Sequence, residues 1–448
     1  MIIDSRILGR CHLFKSKNSF FFLQEDTGAT LLTSIDIGKY IIEDRQIPEL
    51  LRVLHNRGFL IDGTTKRNNT SKIISPTFFM VDLTNSCSNC CSYCFRKTHH
   101  NVYIKDNMLN NIVAKIIEHC QEHSIKQISL QAWGGEPLLA WNAICKMQDM
   151  LKNAKIDVRL LIETNGVSVS DKIAKQMYER NILCSVSIDG PSYIHNRNRL
   201  LINGKGSHAA AIRGFDLLRS AGYGQNIGIV CVITHDSLNH ISEIVDYFAN
   251  ELKLSRVKMN IIKDSDELQN KSLCLSNEEI SSFWRHLLDK IISTNKRGIP
   301  FGENTIIAML HNLTTHRPTS FCHSRGCQAG YRMLSFGIDG GIYPCDLTDH
   351  AELKLGDIYS KKSLNATISS QVFSNPLLKL QRPYRCNDCS WQAFCDGGCK
   401  TMRLFNLNNE FDQADCIRNQ TLYPLLIELI MNDPEIIKTI TGGEIIIK

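Results

Sequence analysis

Residues 78–94 read FFMVDLTNSCSNCCSYC, an apolar run that leads into a loop with four cysteines. The short run Phe78–Leu83 is typical of a buried strand. Thiolates are soft ligands that select zinc, Cu(I) or iron–sulfur groups, and three of them in one loop can hold one face of an iron–sulfur cluster. The segment therefore predicts a strand that carries metal-binding cysteines at its carboxyl end.

Downstream of this segment, apolar strand-like runs alternate with helical patterns up to about residue 300. The predicted strands are 78–83, 127–131, 158–163, 184–188, 226–233 and 256–262, and the predicted helices are 106–121, 141–153, 170–180, 207–221, 239–251 and 277–294. Six β-then-α units in series predict a parallel sheet with covering helices, either open or curled into a partial barrel. In such folds the chemistry lies at the carboxyl ends of the strands.

The segments on either side of this α/β core have other patterns. Residues 1–64 read as a small α+β unit, followed by a polar linker at residues 63–72. Its predicted elements are strands at Ile7–Leu13 and Ser19–Leu23, helices at Ile35–Ile42 and Ile47–Asn56, and a possible returning strand at 59–61. From about 315 to 420 helical periodicity fades and cysteines concentrate, and Thr421–Ile430 reads as an apolar helix. We therefore expect three domains, at residues 1–72, 73–310 and 311–448.

Composition excludes several classes of protein. The chain has 448 residues, 43% of them hydrophobic and 21% charged, which fits a folded globular protein of two or three domains. The net charge is 51 − 45 = +6 with the basic residues spread along the chain, so we expect no nucleic-acid partner. No apolar stretch is long enough for a membrane span, and we see no signal peptide. We expect a cytoplasmic protein with reduced thiols, so the 18 cysteines indicate metal rather than disulfides.

The first cysteine loop allows two ligand registers. Cys87, Cys91 and Cys94 have three and two residues between them, whereas use of Cys90 instead of Cys91 gives two and three. We prefer the first register, which places the aromatic Tyr93 directly before the last cysteine. It resembles the CxxxCxxC signature of the radical S-adenosylmethionine (SAM) superfamily, in which one iron of the cluster is open to SAM. A zinc knuckle is the alternative, although a structural zinc site normally has four protein ligands.

Two motifs at the ends of the second and third predicted strands add to this resemblance. Gly134-Gly135-Glu136-Pro137 follows the second strand, and glycines let the backbone approach a ligand closely, with exposed amides and a carboxylate to hold it. It resembles the GGEP motif of the superfamily, whose backbone and glutamate bind the methionine amino group of SAM. Glu163-Thr164-Asn165-Gly166 follows the third strand. The resemblance implies that Thr164 and Asn165 belong to the same SAM site.

The fourth predicted strand is followed by two further candidates. Ser187 lies at its end, in Ser187-Ile188-Asp189-Gly190-Pro191, and the resemblance implies that Ser187 contacts the SAM ribose. Arg199 comes shortly after, and the resemblance implies that it binds the SAM carboxylate. A guanidinium suits this role because it can bind both carboxylate oxygens. Arg197 is the alternative residue for it.

A second array of eight cysteines lies between residues 322 and 416. Seven of them match the pattern of the SPASM domain, and Cys322 supplies an eighth, although one residue fewer than expected separates the first two. Eight thiolates are enough for two fully ligated 4Fe–4S clusters, with two zinc sites as the alternative. The resemblance implies inner-cluster ligands Cys322, Cys327, Cys345 and Cys399, and outer-cluster ligands Cys386, Cys389, Cys395 and Cys416. The seven other cysteines are expected to be buried thiols.

The chain as a whole resembles radical SAM enzymes with a SPASM domain, a family that includes maturases of ribosomally made peptides and anaerobic sulfatase maturases. The resemblance implies an α/β fold with a partial (β/α)6 barrel, an N-terminal winged-helix-like peptide-recognition domain and a C-terminal SPASM domain. It also implies three 4Fe–4S clusters, SAM, and a reducing donor such as flavodoxin or ferredoxin. A 5′-deoxyadenosyl radical made from SAM would abstract hydrogen from a peptide.

The reaction itself has three interpretations. The N-terminal extension favours an enzyme that installs a thioether or carbon–carbon crosslink, or a related modification, in a precursor peptide with a leader sequence. The second is a sulfatase maturase that forms formylglycine from Cys or Ser, and the third is a non-enzymatic iron–sulfur electron-transfer protein. Asp346 follows Cys345 and resembles the residue that takes the substrate proton in sulfatase maturases. A plain surface or helix-capping aspartate is the alternative for this residue.

Overall fold

The computed structural model describes residues 2–5, 8–25, 27–43, 45, 47–57, 59, 74–96, 101–262, 270–315, 319–322, 326–347, 350–405 and 411–447. The linker predicted at 63–72 lies outside these residues, as does all but Phe59 of the predicted returning strand. The structure therefore tests neither of these two predictions.

The chain begins with a four-stranded antiparallel sheet followed by two helices. The strands, in spatial order, are β1 (Ile2–Ser5), β2 (Gly9–Lys15), β3 (Ser19–Gln24) and β4 (Thr30–Ser34), and the helices are α1 (Ile35–Ile42) and α2 (Pro48–Asn56). The α+β unit and both helices are thus confirmed, whereas the sequence analysis did not predict β1 or β4. Ser34 caps α1 by accepting a hydrogen bond from the Ile37 amide, so β4 passes directly into the helix.

Strand β3 explains how this unit is attached to the rest of the protein. Side chains alternate between the two faces of a strand. Phe20 and Phe22 pack into a small core of the N-terminal unit, whereas Phe21 and Leu23 pack into the main hydrophobic core. The continuous apolar run in β3 therefore serves two cores at once.

The body of the protein contains twelve more strands and thirteen α-helices among the described residues. The strands are β5 (Phe78–Asp82), β6 (Asn89–Cys91), β7 (Gln127–Trp133), β8 (Asp157–Thr164), β9 (Leu183–Ser187), β10 (Arg199–Leu201), β11 (Gly228–Ile233), β12 (Arg256–Ile261), β13 (Gly302–Glu303), β14 (Met333–Phe336), β15 (Gly341–Tyr343) and β16 (Gly356–Asp357). The helices are α3 (Asp106–Glu122), α4 (Trp141–Asn153), α5 (Asp171–Glu179), α6 (Ser192–Asn198), α7 (His208–Leu218), α8 (Ile241–Asp246), α9 (Asn277–Lys296), α10 (Asn304–Thr314), α11 (Leu364–Ser369), α12 (Gln392–Cys395), α13 (Lys400–Phe405), α14 (Gln413–Asn432) and α15 (Pro434–Ile440).

Ten of these strands form one sheet in the order β13-β12-β11-β9-β8-β7-β5-β14-β15-β16. The six predicted strands are β5, β7, β8, β9, β11 and β12, and they are parallel neighbours in chain order. This is the arrangement of a partial (β/α)6 barrel, and the prediction of the fold class is confirmed. The carboxyl ends of all six strands meet at one edge, because neighbours in a parallel sheet run in the same direction.

The C-terminal region continues this sheet, which the sequence analysis did not predict. Strand β14 pairs in parallel with β5, with Met333 opposite Phe78, and β15 and β16 add two antiparallel strands. The apolar helix predicted at Thr421–Ile430 is confirmed within the longer helix α14. None of the helices in the described ranges is both long enough and apolar enough to cross a membrane.

Helix α7 packs directly against the turn that follows β8. A Cβ atom added at Gly214 would lie 2.0 Å from the carbonyl oxygen of Gly166. The intrinsic helix propensity of alanine exceeds that of glycine by about 1 kcal/mol, so Gly214→Ala would stabilise the protein if this contact were absent. We expect the clash to lower the free energy of unfolding by roughly 1–3 kcal/mol instead, as measured by urea denaturation.

The exposed Ala209 in the same helix provides the matched control. Ala209→Gly should cost only the intrinsic helix preference of about 1 kcal/mol. A Gly214→Ala protein as stable as the wild type would show that α7 does not press on this turn.

Candidate active site

A cavity of about 410 Å³ opens at the carboxyl ends of the parallel strands. It contains every residue that the sequence analysis assigned to the first cluster and to SAM. These lining residues are Cys87, Cys91, Tyr93, Cys94, Gly134, Gly135, Glu136, Thr164, Asn165, Ser187 and Arg199. Lining residues that were not predicted include Asn89, Arg96, Trp133, Glu163, Val230, Val232, Asn260, Ile261, Ile262, Leu347 and Met402. The predicted residues thus converge on one site, although they come from five separate segments of the chain.

The structure separates the two cysteine registers of the first loop. Strand β6 pairs antiparallel with β10, so that Cys91 lies opposite Arg199 and Cys90 opposite Leu200. Neighbouring side chains in a strand point to opposite faces. Cys91 lines the cavity together with Cys87 and Cys94, whereas Cys90 is exposed and is not part of the lining. This geometry favours the register that contains Cys91.

The thiols of the loop lie in a desolvated pocket with few hydrogen-bond donors. Burial raises the pKa of Cys87 to about 11 and that of Cys91 to about 12. The Cys87 sulfur accepts hydrogen bonds from the Asn89 backbone N–H at 3.4 Å and from Asn165 Nδ2 at 3.6 Å. A bound metal requires thiolates and therefore displaces these thiol protons, so metal binding at this loop is coupled to deprotonation.

The Gly-Gly-Glu turn is packed against the cysteine loop. A Cβ at Gly134 or Gly135 would lie 2.4 Å from a backbone oxygen of Thr84 or Ser86, so only glycine fits. The amides of Gly135 and Glu136 donate to these same two oxygens at 2.8 Å. The expectation of exposed amides for a ligand is therefore wrong at these two positions. Carbonyl oxygens remain there, which are the partners that a ligand amino group needs.

Glu136 is buried and already engaged. Its carboxylate accepts hydrogen bonds from Thr164 Oγ1 at 2.7 Å, the Asn165 amide at 2.8 Å and the Leu138 amide at 3.1 Å. Burial raises its pKa, and these three donors oppose that shift. Glu136 thus holds the turn after β8 in place beneath the cavity.

Four cysteines of the second array, Cys322, Cys327, Cys345 and Cys399, are linked by electrostatic effects on two of their thiols. Although Cys322 keeps exposed surface, the pKa of its thiol is raised by desolvation and then by Cys327 and Cys399. The pKa of the buried Cys345 is also raised by desolvation, with further contributions from its neighbour Asp346 and from Cys327 and Cys399. Cys327 and Cys399 thus act on both Cys322 and Cys345, which is consistent with the inner-cluster grouping that the sequence predicts.

The other four cysteines surround a second, smaller cavity of about 20 Å³. Cys386, Cys389, Cys395 and Cys416 all line it. Burial and then the neighbouring Cys389 and Cys386 raise the pKa of Cys416 to about 11. These four residues are the ones that the sequence analysis assigned to the outer cluster, and the division of all eight cysteines between two clusters stays a prediction.

The spacing within these groups also bears on the identity of the metal. Among the described residues, no three His, Cys, Asp or Glu side chains lie close enough together to hold a single metal ion. A zinc ion needs sulfur atoms about 2.3 Å from one point. Sets of four thiolates are also the usual ligands of 4Fe–4S clusters, which is the assignment that the sequence predicts.

Two family models match the chain over the segments that build these sites. The model of the radical SAM superfamily matches residues 81–248, and the SPASM model, an iron–sulfur cluster-binding domain, matches residues 327–390. This chain is a radical SAM enzyme with a SPASM domain. Its cofactors are accordingly SAM and 4Fe–4S clusters, and the non-enzymatic alternative is set aside.

Three known proteins show how far the likeness to this radical SAM enzyme extends. A cysteine-type anaerobic sulfatase-maturating enzyme of Clostridium perfringens is 25% identical over 336 residues, or 71% of this chain and 86% of the relative. The structure of anSMEcpe with bound AdoMet and the Cp18Cys peptide has a TM-score of 0.67 at 22% identity, covering 80% of this chain and 99% of that one. Streptococcus suis SuiB bound to its precursor peptide SuiA has a TM-score of 0.55 at 14% identity, covering 92% and 98%. The last two matches establish the fold alone.

Asp346 lies next to the SAM cavity rather than in its lining. Removal from bulk solvent, with a smaller contribution from Glu163, raises the pKa of this carboxyl to about 6 against the opposing effects of a backbone hydrogen bond, Arg96 and Lys258. Glu163 and Arg96 do line the cavity, and so does Leu347, which follows Asp346. Asp346 is therefore close enough to the cavity for two charged residues of its lining to shift the pKa of its carboxyl.

Two carboxylates of this radical SAM enzyme were not given a role from the sequence. Glu163 directly precedes Thr164 and lines the cavity, and Asp189 is buried beside Arg199 with its Oδ2 2.9 Å from Arg199 Nε. Both lie within motifs that the sequence analysis recognised at strand ends. Their position after β-strands was the available signal, because the carboxyl ends of parallel strands gather at one edge.

We expect Cys91→Ser to remove only the SAM-binding cluster. Three four-iron clusters supply about twelve irons per chain, and loss of one leaves about eight. Anaerobic reconstitution followed by iron and sulfide analysis measures this difference, and 5′-deoxyadenosine formation should disappear with it.

Cys90→Ser is the matched control in the same strand. It should keep the full iron content and SAM cleavage, because Cys90 faces away from the cavity. If Cys90→Ser loses four irons and Cys91→Ser does not, the ligand register is the other one.

Proposed function

We propose that this radical SAM enzyme modifies a ribosomally made precursor peptide by installing a thioether or carbon–carbon crosslink or a related change. The observation that carries the proposal is the N-terminal α+β unit, which stands outside the radical SAM and SPASM matches and ends its sheet in the edge strand β4. Residues 1–72 would recognise the peptide, 73–310 would hold SAM, and 311–448 would hold two auxiliary clusters.

Strand β4 pairs with β3 and with no other strand of the described residues, so it forms an edge of the sheet. Extended peptides can add a strand to such an edge, with backbone hydrogen bonds for affinity and side-chain pockets for specificity. Ile37 on α1 and Val53 on α2 are 44% and 41% exposed, so apolar surface lies on the helices that follow this strand. An edge with neighbouring apolar side chains is suited to bind a leader segment.

The extent of the matches supports the same proposal. The anSMEcpe fold accounts for 80% of this chain, whereas the SuiB fold accounts for 92% and so includes part of the N-terminal unit. SuiB was solved with a precursor peptide.

The sequence likeness to sulfatase maturases supports the second candidate function, formation of formylglycine from Cys or Ser in a sulfatase. Asp346, positioned as described above, serves either reaction.

When bound, the first cluster and SAM supply a 5′-deoxyadenosyl radical that abstracts hydrogen from the substrate. In our assignment Cys87, Cys91 and Cys94 hold the cluster, Arg199 binds the SAM carboxylate, and carbonyl oxygens of the Gly-Gly-Glu turn accept from the SAM amino group. Ser187 is assigned to the ribose, and Tyr93, Thr164 and Asn165 complete the SAM site. An apolar wall that includes Val230, Val232 and Met402 excludes water, which would otherwise quench reactive species.

The auxiliary clusters would be held by the two groups of four thiols described above, with Cys345 beside Asp346. We assign to Asp346 the proton that leaves the substrate as the product forms. A reducing protein such as flavodoxin or ferredoxin would supply electrons. The proposal predicts a short precursor peptide encoded near this gene, and co-expression with such a peptide, followed by mass spectrometry, tests the function directly. A peptide of unchanged mass beside a modified sulfatase would favour the second candidate.

Substitution of the exposed apolar residues beside β4 should weaken peptide binding. We expect Ile37→Asp combined with Val53→Asp to weaken binding of the precursor by about tenfold or more, since loss of two apolar contacts costs at least about 1.4 kcal/mol. Fluorescence anisotropy of a labelled peptide measures the change. SAM cleavage without peptide should stay at the wild-type rate.

Phe373→Asp provides the control for an exposed apolar residue, because Phe373 is 91% exposed and lies in the C-terminal region. It should bind the peptide like the wild type. Wild-type peptide affinity in the Ile37→Asp, Val53→Asp protein would argue against recognition at this edge.

Asp346→Asn should separate SAM cleavage from product formation. The amide cannot take a proton, so we expect product yield to fall by roughly 100-fold or more, in the range of a general base. Formation of 5′-deoxyadenosine should remain within about threefold of wild type, since Asp346 is outside the SAM cavity lining. Parallel quantification of both products by mass spectrometry gives the ratio, and an equal fall in both would assign Asp346 a structural role.

A further inference from the structure

Asp189 is a buried carboxylate beside the SAM cavity on which three separate segments converge. Its Oδ2 accepts hydrogen bonds from Tyr93 Oη at 2.5 Å and from Arg199 Nε at 2.9 Å. Its Oδ1 accepts from the Val232 amide at 2.9 Å. The cysteine loop, β10 and β11 are thus joined at one side chain.

The contact with Asp189 uses only one of the three nitrogens of Arg199. The guanidinium carbon also lies 5.4 Å from the centre of the Tyr93 ring. Within the described residues, the two Nη nitrogens of Arg199 donate no hydrogen bond. A planar guanidinium held through Nε keeps both Nη groups for a bidentate contact, which is the geometry that a carboxylate ligand needs.

Asp189 also stabilises the buried charge of Arg199. Burial acts to lower the pKa of Arg199, but Asp189, with smaller contributions from Tyr93 and Cys91, more than offsets this, so the pKa is raised overall. Burial of an unpaired cation would be costly, and the ion pair removes that cost.

The backbone of Asp189 belongs to the same network. Its N–H donates to Nδ1 of His195 at 3.3 Å, and burial lowers the pKa of His195 to about 3, so the imidazole is neutral. Nε2 of His195 therefore carries the hydrogen and donates to Ser207 Oγ at 3.0 Å. Ser207 Oγ also accepts from Asn89 Nδ2 at 3.1 Å, which leads back to the cysteine loop.

We propose that Asp189 is a positioning residue for SAM, which orients Arg199 for the SAM carboxylate and locks that arginine to the cysteine loop through Tyr93. This inference rests on the assignment of Arg199 in the proposed function. Asp189 itself touches neither SAM nor the cluster in this account.

The test uses the full-length holoprotein after anaerobic reconstitution. Iron and sulfide content reports the clusters, and the change in the EPR spectrum of the reduced first cluster on SAM addition reports the SAM dissociation constant. Asp189→Asn keeps the shape of the side chain, but its single amide oxygen has two lone pairs for the three donors that Asp189 accepts. We expect unchanged iron content and roughly 10- to 100-fold weaker SAM binding, the range for a hydrogen bond to a charged group.

A double-mutant cycle distinguishes positioning from a general structural role. If Asp189 acts through Arg199, the combined Asp189→Asn and Arg199→Gln protein should bind SAM no more weakly than Arg199→Gln alone, within about threefold. Asp149→Asn is the matched control, because Asp149 also pairs with an arginine, Arg180, at 2.7 Å but on the protein surface. It should bind SAM like the wild type.

If the Asp189→Asn protein fails to take up the first cluster, the Arg199→Lys variant tests instead whether Asp189 positions Arg199 for SAM. Lysine keeps the charge but has a single ammonium group, and Asp189 would hold that group away from SAM. The SAM affinity of the Arg199→Lys protein should therefore fall as far as that of the Arg199→Gln protein. Near-wild-type SAM affinity in Asp189→Asn or Arg199→Lys, or additive losses in the cycle, would overturn the inference. A wild-type protein whose EPR spectrum does not respond to SAM would instead overturn the SAM-site assignment itself.

Discussion

The register between β6 and β10 is the constraint on which the SAM site depends. These strands are only three residues long, and their antiparallel pairing puts Cys91 opposite Arg199. A slip by one residue would turn Cys91 away from the cavity and Cys90 toward it, since side chains alternate between faces. Such a short ladder needs support, and Ser92 Oγ supplies some by donating to Asn198 Oδ1 at 2.5 Å. Side-chain contacts thus fix a register that three backbone pairs alone would leave loose.

Glu136 shows how one residue can serve both the fold and the ligand. A carboxylate offers about four lone-pair sites, and three are used by Thr164, Asn165 and Leu138. The remaining site is the one that we assign to the SAM amino group. A carboxylate already held by three donors costs little entropy to immobilise when the ligand arrives, so the same contacts that build the turn also preorganise the site.

The parts of the structure that the sequence predicted are those with a local signal. The six parallel strands were found because each is an apolar run followed by a helical pattern, and the SAM site because its motifs stand directly after those strands. Strand β14 was missed because four residues with no periodicity pair with β5, more than 200 positions earlier in the chain. Asp189 was quoted but given no role, because its partners Tyr93, Arg199 and Val232 come together only in three dimensions. Long-range pairing leaves no trace in local composition.

The N-terminal unit is joined to the protein more closely than a polar linker would suggest. Thr30 Oγ1 donates to the Leu313 carbonyl oxygen at 2.6 Å, and the Phe14 ring stacks on Trp391 with centroids 6.3 Å apart. Trp391 comes between Cys389 and Cys395 in the sequence and lines the smaller cavity together with them. Removal of the unit would delete Phe21 and Leu23 from the main core and uncover Trp391, so a truncated chain would lose part of its main core as well as any peptide site. Peptide recognition must therefore be separated from stability by changes on the exposed side of α1 and α2, where Ile37 and Val53 take no part in that core.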